Sequence, residues 1–220
     1  MAPKKKAPTR EKIVEHYFDY VLTHDEDPKS IYIFAKEYGF EESAFYAHFT
    51  SFEALREQTF VSFHEHTLNL LVDNDDYLQQ DARHQLLSYY YTLFELMNAN
   101  RSYVVYALEG QKHKMQALKQ LAAFRTAFKK YVDRLEIETL SLGVQQLEQI
   151  KNKGIGEAAW AQFMVTLKFW LDDTSPGFEK TDLFIEKSVN TSFDVLNLPA
   201  LDSLIDFGKF LFKEKVKSNA

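Results

Sequence analysis

Breakers are scarce in this chain. Only seven Gly and five Pro are spread over 220 residues, and long stretches between them carry apolar residues at helical spacing. A chain so punctuated folds into helices, and the fold class read from it is all-α with nine or ten helices. The core is unusual for such a class. Phe, Tyr and Trp together make up 15% of the residues, where helical cores are ordinarily Leu and Ala. Either the rings pack into a solid interior or they wall a cavity, and the sequence leaves both open. With 45% apolar and 26% charged residues, the chain reads as globular. No apolar run approaches the length of a membrane span, so no membrane insertion is expected. No cysteine is present, which excludes a thiolate metal site and thiol catalysis and fits a reducing compartment. The basic N-terminus lacks the apolar stretch of a secretory signal, and a cytoplasmic location is expected.

Charge is unevenly distributed. Residues 1–12 carry +4, residues 13–60 carry −7 and residues 61–220 carry −3. Residues 1–8 read as a disordered basic arm. The first helix is expected over Arg10–Thr23, capped by Thr9, with Ile13, Tyr17 and Val21 as its buried stripe and Val14, Phe18 and Leu22 widening it. Asp27-Pro28 reads as cap and first residue of a second helix bearing Ile31, Phe34, Ala35 and Tyr38, which Gly39 ends. A third runs over Glu42–Phe49. Thr50-Ser51-Phe52-Glu53 matches a capping box that opens a long helix over Ser51–Val72. Further helices are expected over Asp81–Asn98, Arg101–Glu109, Lys112–Leu142, Glu157–Asp172, Lys180–Asn197 and Leu201–Lys217. Asn152-Lys153-Gly154-Ile155-Gly156 is the clearest breaker among them. Two short helices about a glycine turn, flanked by longer ones, form a helix-turn-helix arrangement.

Three motifs within Thr9–Phe60 carry a resemblance: Phe34-Ala35-Lys36-Glu37-Tyr38-Gly39-Phe40, Phe45-Tyr46-Ala47-His48-Phe49 and Thr50-Ser51-Phe52-Glu53-Ala54-Leu55. In sequence and spacing this segment resembles the N-terminal domain of the TetR family of bacterial transcription regulators. The resemblance implies a three-helix DNA-binding head over residues 9–60 and a helical ligand-binding and dimerisation body over residues 61–220. The implied partners are a double-stranded DNA operator, a second copy of the chain and an unidentified hydrophobic small molecule. Candidate DNA contacts are Lys4, Lys5, Lys6, Arg10, Lys29, Ser30, Glu42, Ser43, Tyr46, Ala47, His48 and Thr50. Tyr46 and His48 suit phosphate, and Glu42 suits cytosine N4. Phe45 and Phe49 read as core.

The body's apolar and aromatic residues Tyr90, Phe94, Met97, Tyr103, Tyr106, Phe124, Phe128, Phe163 and Phe169 are the candidate pocket. Trp160, Met164, Leu167 and Leu171 are the candidate dimer face, with intramolecular core as the other reading.

Two positions depart from the family. Glu41-Glu42-Ser43 stands where a small, basic start to the reading helix is usual, and Phe52 replaces a phosphate-holding lysine. These departures leave a second reading open: a TetR-fold lipid-binding or interaction protein that has lost specific DNA binding. No catalytic set is evident, so an enzyme is not expected, and no cofactor is implied. His64 and His66, at i and i+2, point to different sides of a helix. They read as solvated surface, not a metal pair.

Overall fold

The computed structural model describes residues 7–74, 76–109, 118–135, 137 and 145–196, the last span with side chains from Gly154 onward. The arm lysines Lys4, Lys5 and Lys6, His113 and the expected helix over Leu201–Lys217 lie outside the described residues, as do parts of the expected Lys112–Leu142 helix. Among the described residues there are nine α-helices and no strand. They are α1 (Arg10–His24), α2 (Ile31–Glu37), α3 (Glu42–Tyr46), α4 (Phe52–Val72), α5 (Ala82–Ala99), α6 (Arg101–Glu109), α7 (Ala122–Asp133), α8 (Gln145–Asp172) and α9 (Glu179–Leu196). The all-α reading holds. None of the described helices is long and apolar enough to cross a membrane.

The chain forms two compact units, one of residues 1–67 with 93–127, the other of residues 68–92 with 128–220. In the first unit, Thr9 caps α1 as expected, accepting from the Lys12 amide at 3.3 Å. Ile13, Tyr17, Tyr20 and Val21 are its buried stripe, while Leu22 is exposed. Asp25 ends the helix in the left-handed conformation, φ 55°. The second helix begins later than expected, at Ile31. Its cap is Ser30, which accepts from the Ile33 amide, because the Asp27 carboxylate is held instead by Arg56 and Tyr17. Gly39 at φ 70° makes the turn. A left-handed residue there lets the chain reverse within a few residues at no steric cost.

The long helix α4 is capped one residue past the expected Thr50. Ser51 Oγ accepts from the Ala54 amide at 3.2 Å. The inner rings of the head form one cluster, with Phe52 edge-on to Phe34 (5.5 Å) and Phe45 (5.3 Å) and stacked on Tyr17 (5.4 Å). Further along α4, His64 is buried against Phe124 and is not surface; His66 is exposed.

In the second unit, α8 runs straight through the expected breaker at Gly154 and Gly156. Two helical glycines cost about 1 kcal/mol each relative to Ala. Close packing offsets this at Gly156, where an added Cβ would stand 3.2 Å from Lys129 Cε on α7. The approach lets Lys129 Nζ reach Glu157 Oε1 at 2.6 Å. The core of this unit is a ring cluster. Tyr89 stacks on Tyr131 (4.4 Å), and Phe128 meets Phe163 (5.4 Å) and Trp160 (6.2 Å).

Candidate nucleic-acid interface

Five residues make α3, and Phe45 anchors it, fully buried. With Phe45 turned inward, Ser43, Tyr46, Ala47 and His48 face solvent, and Tyr46 is 53% exposed. Glu42 is half-buried and accepts a long hydrogen bond, 3.4 Å, from the Tyr46 hydroxyl. Glu41 caps nothing with its side chain and is exposed. Lys29 and Ser30 are exposed where α2 begins, and Thr50 is exposed just before α4. The exposed surface around α3 and the starts of α2 and α4 thus joins one lysine, several hydroxyls, one histidine and two carboxylates.

Arg10 serves another purpose. Its guanidinium lies over the Phe49 ring at 5.3 Å and donates to Gln58 Oε1 (2.9 Å) and Ser62 Oγ (3.1 Å). It fastens α1 to α4, where a phosphate contact was expected. Phe52, standing where the family places a basic residue, fills the ring cluster of the head.

A buried polar centre in the same unit escaped the sequence reading. Arg56, 4% exposed, donates through Nη1 to Asp27 Oδ2 (2.7 Å) and to the Tyr17 hydroxyl (2.9 Å). The Tyr17 hydroxyl donates in turn to Asp27 Oδ1, and Glu53 lies 3.5 Å from Nη2. Burial works against the guanidinium charge, but the Tyr17 hydroxyl and the Asp27 and Glu53 carboxylates outweigh it and hold the pKa above its ordinary value. The signal was present in the sequence: Arg56 falls on the buried stripe of α4, between Leu55 and Thr59.

The nine candidate pocket residues do not share one place. Phe94, Met97, Tyr103 and Phe124 are buried in the first unit, with Tyr106 half-buried there. Tyr103 stacks on Phe18 at 3.6 Å. Tyr90, Phe128 and Phe163 are buried among rings in the second unit, where the Tyr90 hydroxyl donates to Gln162. Phe169 stacks on Phe184 at 4.5 Å in a groove between α8 and α9.

Of the candidate dimer residues, Leu167 is buried inside its own unit, and Trp160, Met164 and Leu171 are half-buried. The outward apolar side chains of these two helices include Val165 on α8 and Leu183 and Val195 on α9, 58%, 49% and 48% exposed. Among the described residues no cluster of His, Cys, Asp or Glu is placed to hold a metal.

The helices, with no strand among the described residues, define an all-α protein of TetR-like fold. Residues 85–211 match the family model of the tetracyclin repressor-like C-terminal domain. That span is more than half of the chain, and the chain belongs to this family. The match starts within α5, so the head lies outside it. No curated protein matches the chain.

Proposed function

We propose that this protein is a transcription regulator, acting as a repressor, that grips a palindromic operator as a homodimer and releases it on binding a hydrophobic small molecule. The observation that carries the reading is the exposed row of Ser43 and Tyr46 on α3 with Ala47 and His48 in the turn that follows, the helix anchored by the buried Phe45. A helix held from behind in this way presents its outer face to a major groove. Tyr46 and His48 donate to phosphate, Lys29 adds charge at the start of α2, and Lys4, Lys5 and Lys6 extend along the backbone from the arm. Glu42, drawn toward Tyr46, accepts from cytosine N4. The ligand acts through α4, which contributes residues to both compact units, by favouring one of two head arrangements. Such a regulator works in the cytoplasm and needs no catalytic chemistry.

Few cations face the DNA in this scheme, so affinity is modest and depends weakly on salt. The test is a footprint on the promoter region of the chain's own gene, repeated across salt concentrations. A protected palindrome is expected at low salt, and its absence sinks the repressor reading. Tyr46→Phe combined with His48→Ala is expected to lower affinity alike on every sequence, because these are phosphate contacts. The exposed Glu41, and Phe52 committed to the ring cluster, favour the second reading, a TetR-fold protein that binds lipid or protein and not operator DNA. A chain that binds ligand yet protects no DNA at any salt concentration establishes that one.

A further inference from the structure

The second unit contains open space that none of the nine candidate pocket residues lines. A cavity of about 270 Å³ lies among α5, α7, α8 and α9, walled by Leu86, Val132, Ile155, Ala159 and Val189. Gln162 reaches its edge, but its amide is engaged: it accepts from the Tyr90 hydroxyl and donates to Ser188 Oγ at 2.9 Å. The other polar side chains of the wall are Ser192, whose Oγ donates to the Ser188 carbonyl at 2.9 Å, and the exposed Thr191; the rest is apolar and suits hydrocarbon. The volume falls at the lower limit of small-molecule sites, roughly 300–1,000 Å³. That suits one alkyl chain, not a fused-ring system.

A wider cleft of about 760 Å³ adjoins this cavity, and Phe193 and Leu196 line both. Its titratable side chains are Asp81, Arg83, His84 and Arg134, with Gln80 and Gln85 beside them. Their charges can be followed one by one. Asp81 caps α5, accepting from the His84 amide and ring nitrogen, both at 2.9 Å. Asp194 accepts from Arg83 Nη2 at 2.7 Å, and the Arg83 guanidinium lies 5.5 Å over the Phe193 ring. Both carboxylates are therefore engaged. Arg134 is exposed at the cleft and has no ion pair among the described residues. Among the described residues, Arg134 is thus a guanidinium without a carboxylate partner beside an apolar hole, and a guanidinium fork matches a carboxylate in two hydrogen bonds.

We propose that the two spaces form a single site for a straight-chain carboxylate, its tail in the cavity and its head at Arg134. The inference rests, for its regulatory meaning, on the reading that the protein answers a hydrophobic ligand, and it gives that ligand a chemical class and a place.

The test is calorimetric titration of the full chain, without DNA, using sodium decanoate. Decan-1-ol supplies the same tail without charge, and acetate the head without a tail. Decanoate is expected to bind more tightly than decan-1-ol, and acetate not at all. Arg134→Gln, at an exposed position, is expected to weaken decanoate about tenfold or more, the scale of a lost charge-assisted hydrogen bond, and to leave decan-1-ol unchanged. Ala159→Phe, which fills the cavity, is expected to abolish both. If that variant fails to fold, the Arg134→Gln comparison decides alone. No heat with decanoate, or equal decanoate affinity in Arg134→Gln and the natural chain, overturns the site. Because no DNA is present, a failed titration leaves the footprint result standing, and a failed footprint with decanoate bound removes only the regulator reading.

Discussion

His64 shows how far one buried side chain can set the response of the fold to acid. It is 5% exposed on α4, edge-on to Phe124. Burial holds the imidazole pKa down at about 4, against an ordinary 6.5. In the unfolded chain the ring takes its proton as pH falls past the ordinary value, whereas the folded protein refuses it until near the lowered one. Between the two, the unfolded state binds more protons, so stability rises with pH and is lost as pH drops through that window. The expected loss between pH 8 and pH 5 is about 1 to 2 kcal/mol. Urea unfolding of the natural chain and His64→Leu at both pH values isolates this contribution, since the carboxylates are common to the two proteins. Equal pH slopes in the two proteins refute it. Arg56 is the opposite case. It stays charged in the core because Asp27 and Tyr17 meet it there, and a buried charge without such partners is costly.

Helix ends and joints are decided by which polar atoms find partners. Asp173 closes the joint between α8 and α9. It accepts from the amide and hydroxyl of Ser175 (2.8 and 2.7 Å) and of Thr181 (2.9 and 2.7 Å). Burial opposes its charge, but the four donors outweigh it and bring the pKa down to about 2. That contribution is present above the ordinary carboxylate range and fades as pH falls toward the lowered value. Asp173→Ala is expected to cost about 2 kcal/mol, the scale of hydrogen bonds to a charged acceptor whose donors are then stranded. Thermal unfolding at pH 7 reads it, and an unchanged midpoint refutes the role.

The same competition for partners explains what the sequence revealed. Thr9 was legible as a cap and Gly39 as a turn because each acts locally. Asp27-Pro28 misled because Asp27 is claimed by Arg56, 29 residues away. The capping box at Thr50 was legible to within one residue, since Ser51 offers the same hydroxyl next door. Gly154 and Gly156 read as a breaker because local propensity omits the approach of α7 to Gly156. The inward turn of Phe45 and Phe49 was legible from Phe45-Tyr46-Ala47-His48-Phe49, and Tyr46, Ala47 and His48 are exposed. The packing role of Arg10 was not, because it depends on Gln58, Ser62 and Phe49 brought together by the fold.

At the scale of the whole molecule, a palindromic operator demands a two-fold partner. For the proposed homodimer, the face expected to meet the partner is Val165, Phe169, Leu183 and Phe184, a groove between α8 and α9 edged by Lys180 and Lys187. Lys168 on α8 is paired with Asp172 at 2.6 Å. In an isologous dimer each copy lays this face on its twin, so one charged substitution enters the interface twice. Val165→Glu with Leu183→Glu therefore places four carboxylates where apolar contact is expected. Both positions are exposed in the single chain, so helix content in circular dichroism should not change. Sedimentation equilibrium is expected to show the natural chain as a dimer and the variant as a monomer. Operator affinity should fall about 100-fold or more, because the second head is no longer held at its half-site. Leu22→Glu is the matched control: it charges another exposed apolar residue, on α1, and is expected to leave the dimer intact. A variant that stays dimeric with its helices formed assigns the interface to a different surface. If Leu22→Glu also yields monomers, the association is nonspecific and the groove between α8 and α9 loses its claim.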